Sequence, residues 1–139
     1  MTVKPWFPVW SISILAAGLL PAFSRSVWDG VYTKEQAQRG QNAYRESCAK
    51  CHGENLGGGE AGPPLTGAEF LRSWNGRTAG DLFAAIRKTM PSEDPGSLST
   101  REYSDIVALI FSTNEFPAGA KELDREINPL NEIRIEAKR

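Results

Sequence analysis

Apolar residues recur along most of this chain at helical spacing. Ala37, Gly40, Ala43 and Tyr44 fall three, three and one apart, which makes one face of a helix expected over Lys34–Ser47. Thr33 and Gln36 stand at capping-box spacing at its start. Glycine inside a helix costs about 1 kcal/mol against alanine, so Gly40 points to close approach by a second helix. Tyr103, Ile106, Val107 and Ile110 make a sharp apolar stripe on a helix over Thr100–Thr113, opened by a Ser99/Glu102 capping box. The Gly40 and Tyr44 face is expected to cross it at Tyr103 and Val107. Thr78 and Asp81 cap a third helix, which ends near Thr89 because Pro91 disfavours helical geometry at Met90. Between these helices, residues 53–67 carry six glycines and two prolines and read as a loop. The pattern is that of an all-α fold of short helices and loops.

Both ends differ from this middle. Residues 9–23 are mostly apolar, follow the single early charge Lys4, and lead to the small residues Ala22 and Ser24. That is the form of an export signal. The stretch carries Pro21 and is shorter than the ~20 apolar residues of a spanning helix. The expected division is a secretion signal over 1–24 cleaved after Ser24, a domain over 25–116, and an extension over 117–139. The expected location is periplasmic, with no membrane span in the mature form unless the N-terminal segment is retained as an anchor. In the extension, Ile133 and Ile135 alternate with charged residues, a weak strand signal. This tail either wraps back over the domain or docks on a partner.

Composition excludes little but changes one point. The 139 residues are 40% hydrophobic and 24% charged, ordinary values for one globular domain, and the formal net charge is -1. No run of like charges exceeds two residues, so there is no electrostatic footprint for nucleic acid.

The chemistry is concentrated in five residues. Cys48 and Cys51 are the only cysteines, His52 is the only histidine, and together they spell CAKCH. A structural zinc site needs four ligands, and no second pair exists. Thiol–disulfide exchange wants C-x-x-C at a helix start within a βαβ setting, whereas here a helix precedes the motif and a glycine loop follows. Covalent haem attachment is the reading that C-x-x-C-H favours. Each cysteine adds to one vinyl group, and the adjacent histidine lies under the iron as its proximal ligand. For the opposite face, Met90 is the one methionine besides Met1. A lone methionine is usually plastic core filling. Met90 sits instead in a loop beside Pro91, and a His/Met pair is a known haem ligation that raises the potential and suits electron transfer.

The stretch from Tyr32 to Phe116 resembles the class I c-type cytochromes, small all-helical electron carriers. The match runs through CAKCH (Cys48 to His52), GPPL (Gly62 to Leu65), Trp74, TMP (Thr89 to Pro91) and the Gly40/Tyr44 helix face. The resemblance implies one covalent haem c, with His52 and Met90 on the iron. It also implies a Pro63 carbonyl accepting from His52 Nδ1–H, and Trp74 as an N–H donor near a propionate. Leu65, Phe70, Leu71, Leu82, Phe83, Ile86 and Leu98 are expected to line or back the pocket. Arg72, Arg77 and Lys88 are candidates for steering a partner or neutralising propionates. Glycines 57 to 59 read as loop without chemistry. The wider phrasing resembles monohaem cytochromes associated with quinoprotein dehydrogenases, so the implied partners are redox proteins such as that dehydrogenase and a terminal oxidase. With both axial positions filled, the implied role is one-electron transfer rather than enzymic turnover. A haem enzyme or gas sensor with a displaceable sixth ligand, and a fixed haem subunit of a dehydrogenase, stay open as alternatives.

Overall fold

The computed structural model describes residues 1–3 and 25–138. The apolar stretch over 9–23 and the cleavage point after Ser24 lie outside the described residues. Among the described residues six α-helices carry the fold: α1 (Lys34–Ser47), α2 (Ala49–His52), α3 (Gly67–Trp74), α4 (Ala79–Thr89), α5 (Thr100–Thr113) and α6 (Ile127–Asn131). Strand is confined, among the described residues, to two short segments, β1 (Arg25–Ser26) and β2 (Ile133–Arg134).

The helix starts are set by their caps. At α4, Thr78 Oγ1 accepts from the Asp81 N–H at 3.0 Å while the Thr78 N–H donates to Asp81 Oδ2 at 2.9 Å. Ser99 and Glu102 do the same at α5, at 3.2 and 2.8 Å. At α1 only half of the expected box forms. Thr33 Oγ1 accepts from the Gln36 N–H at 3.1 Å, but the Gln36 side chain is buried and engaged elsewhere. Its Nε2 donates to the Leu123 carbonyl at 3.0 Å, and its Oε1 accepts from the Leu123 N–H at 2.7 Å. A buried amide pairing with a backbone N–H and C=O outweighs a solvent-exposed cap.

α1 and α5 cross at the centre of the molecule. At Gly40 the nearest atoms of α5 belong to Asp105 and Leu109: a Cβ there would overlap the Asp105 carbonyl and lie 3.1 Å from Leu109 Cβ. The crossing is closed on its outer side by Arg39, whose Nε and Nη2 donate to the two oxygens of the buried Asp105 at 3.0 Å each. Arg39 Nη2 also donates to Glu122 at 2.8 Å. Every residue from Tyr103 to Phe111 is buried, so α5 is enclosed all round instead of along one stripe.

The tail supplies the missing cover. Ser104 Oγ donates to the Asp124 carbonyl at 2.7 Å, which pins 123–124 over α5. Leu123, Leu130, Ile133 and Ile135 are all buried. β2 then pairs in parallel with β1, Arg25 opposite Ile133, and Ile135 exchanges backbone bonds of 2.8 Å with Gly76 and Arg77. α6 rests on α4 where a Cβ on Gly80 would strike the Asn131 side chain. The tail therefore packs back onto the helices.

Candidate haem site

Cys48 closes α1 and opens α2, the single turn that carries Cys51 and His52. Both thiols are half-buried and unpaired, and His52 is buried. His52 Nδ1 lies 2.8 Å from the Pro63 carbonyl. A carbonyl can only accept, so Nδ1 carries the proton and donates. That fixes the tautomer with the Nε2 lone pair left for a metal.

The glycine loop is organised around this histidine. The Gly58 N–H donates to the His52 carbonyl at 2.8 Å, and Tyr44 Oη donates to the Gly53 carbonyl at 2.7 Å. A Cβ on Gly62 would come within 3.0 Å of the imidazole ring. Glycines that read as featureless loop therefore hold the motif, because only a bare backbone passes so close.

Cys48, Cys51, His52 and Met90 all border one cavity of about 490 Å³. That volume lies within the ~300–1,000 Å³ range of cofactor pockets. Leu65, Phe70, Leu82 and Ile86 line it as expected, joined by Ile106 and Ile110 from α5. Leu71, Phe83 and Leu98 do not border it and pack in or against the core. Trp74 borders it half-buried, with the Arg77 guanidinium stacked 4.3 Å from its ring centroid. Arg72 and Lys88 are exposed and do not border the cavity, and neither does Arg77.

Met90 sits at the C-cap of α4 in extended backbone, φ −127° and ψ 150°, as the following proline requires. Its N–H still donates to the Ile86 carbonyl at 2.8 Å. Its own carbonyl accepts from Tyr103 Oη at 2.8 Å. The cavity rim is acidic: Glu46, Glu69, Glu93 and Asp94 border it, and among the described residues Lys50 is the one lysine or arginine that does. Lys50 pairs with Glu93 at 3.3 Å, both side chains well exposed.

The surroundings of the cysteines favour neither of the two alternatives. Among the described residues, no three His, Cys, Asp or Glu side chains cluster as a metal site. Burial, with the neighbouring Cys51, pushes the Cys48 thiol up to about 11. Redox-active C-x-x-C pairs need a depressed thiol pKa.

Residues 35–110, more than half of the chain, match the family described as cytochrome c oxidase, cbb3-type, subunit III. The chain belongs to this family of c-type cytochrome domains. No curated protein and no solved structure matches it. The family carries covalent c-type haem, and the residues of this cytochrome domain fit that group. Two thiols spaced as C-x-x-C border an apolar cavity, and a buried imidazole with its Nε2 free lies directly after them. No helix among the described residues is long and apolar enough to cross a membrane.

Sequence reasoning missed the Tyr103 bond and the acidic rim. Tyr103 reads in sequence as one member of an apolar stripe. The rim residues are scattered over positions 46 to 94 and converge only in the fold.

Proposed function

We propose that the chain is a periplasmic one-electron carrier whose haem is held by His52 and Met90. The observation that carries this reading is that the only histidine and the only methionine outside the N-terminal residue border the same apolar cavity. When bound, the haem supplies a one-electron iron couple. The protein's part is to hold that group in one geometry in both oxidation states. Cys48 and Cys51 tether it through thioethers. Pro63 orients His52, and its carbonyl raises the basicity of Nε2. A thioether from Met90 would fill the remaining position, which leaves no place for a substrate and favours a carrier over an enzyme or sensor. Leu65, Phe70, Leu82, Ile86, Ile106 and Ile110 exclude water. Trp74, bordering the cavity, is proposed to donate its indole N–H to a propionate.

The division into a signal over 1–24, a domain over 25–116 and an extension over 117–139 is part of the same proposal. The partner would be a redox protein met in a small, transient encounter. The acidic rim, four carboxylates against one ammonium, favours a partner with a basic face. A quinoprotein dehydrogenase as donor and a terminal oxidase as acceptor suit this role, and the matched family's description names an oxidase subunit. Spectroelectrochemical titration of the purified holoprotein tests the reading. A reversible one-electron transition in a low-spin spectrum is expected. A high-spin ferrous spectrum would contradict it.

A further inference from the structure

We propose that Tyr103 is the positioning residue that holds the Met90 segment over the cavity, a proposal that rests on Met90 as the sixth ligand. Tyr103 is fully buried, and its hydroxyl donates to the Met90 carbonyl at 2.8 Å. The same oxygen lies 3.5 Å from the Leu98 N–H. One hydroxyl thus reaches both ends of the 90–98 segment. The Met90 N–H continues α4 by its bond to the Ile86 carbonyl at 2.8 Å, and the other backbone bonds among the described residues of the segment are its own turns: Asp94 N–H to the Pro91 carbonyl at 3.0 Å, Ser97 N–H to Asp94 at 3.3 Å, and Gly96 N–H to Met90 at 3.4 Å. The Lys50–Glu93 pair at its outer side is exposed and holds little.

Tyr103 itself is firmly placed. Its ring packs edge-on against Phe83 with centroids 6.4 Å apart. It sits in the first turn of α5, behind the Ser99 cap, on the helix that Gly40 locks against α1. A thioether is an uncharged, weak donor, so its residence on a metal depends on the backbone that presents it. Tyr103 transmits the fixed position of the α1–α5 crossing to that backbone.

The test is imidazole titration of the ferric holoprotein, followed by loss of the sulfur-to-iron charge-transfer band. Tyr103→Phe keeps the ring and its contact with Phe83, so the fold is retained, and removes only the hydroxyl. Loss of one hydrogen bond from the methionine-bound state should let imidazole displace it at roughly five- to tenfold lower concentration. Tyr32→Phe is the control, since Tyr32 Oη donates to the Phe116 carbonyl, outside the 90–98 segment. It should match the parent within about twofold. Equal titrations for Tyr103→Phe and the parent would overturn the proposal, and so would equal shifts in both variants. A parent without the band would overturn the Met90 ligation, and this proposal with it.

Discussion

Gly40→Ala opposes two effects of opposite sign at one position. Helix propensity alone favours alanine by about 1 kcal/mol. The new Cβ, however, would overlap the Asp105 carbonyl, which is main chain in the middle of α5. A flexible side chain could turn away, whereas a helical carbonyl cannot. Asp105 is further held by the two-pronged bond from Arg39. The helices must therefore move apart, loosening the contacts of a helix buried from Tyr103 to Phe111. Overpacking of this kind costs about 1–3 kcal/mol. A clash with main chain stands at the upper end of that range, about 2–3 kcal/mol, so against the propensity gain of about 1 kcal/mol a net loss of about 1–2 kcal/mol is expected. For a domain of this size that lowers the melting temperature by roughly 4–8 °C. Thermal unfolding of the holoprotein, followed by far-ultraviolet circular dichroism, measures it. A melting temperature equal to the parent's, or above it, would refute the close crossing.

Tyr44 gives a pH dependence. Burial pushes its phenol up to about 12, above the ordinary value of 10.0. The folded state thus retains a proton that the unfolded chain loses first, so stability is intact below about 10 and falls as pH rises towards 12. Urea midpoints measured across that range should fall less steeply in Tyr44→Phe; parallel curves would remove Tyr44 from the base lability. At the rim, the whole-chain charge of -1 is too small to set the sign of an ionic-strength effect, so the local carboxylates should. Oxidation of the reduced protein by a cationic cobalt complex should slow with added salt. Glu46→Gln with Glu69→Gln and Asp94→Asn should flatten that slope, and an unchanged slope would discount the rim.

The helical frame was legible because its signals are local. Caps at Thr78 and Ser99, the stripe on α5 and the proline after Met90 each act within a few residues. Gln36 shows where local reading fails: its spacing fits a cap, but a distant backbone segment at Leu123 claims its amide. α3 and α6 went unread because eight and five residues are too few to establish a period. The site was legible to the extent that its chemistry is carried by rare residues. Cys48, Cys51, His52 and Met90 stand out by scarcity alone, and the structure brings them to one cavity. Tyr103 did not stand out, since a tyrosine in an apolar stripe gives no sign of where its hydroxyl points. Nor did Gly58, read as loop without chemistry, whose N–H donates to the His52 carbonyl; the loop read over 53–67 ends one residue sooner, because Gly67 opens α3.

Carbon monoxide binding to the ferrous holoprotein tests the carrier role most directly. With Met90 on the sixth position, the parent should bind the gas poorly at neutral pH, and Met90→Ala should bind it readily and lose the sulfur-to-iron charge-transfer band. Ready binding by the parent, or a band that survives Met90→Ala, would contradict the carrier reading and favour a haem enzyme or gas sensor in its place.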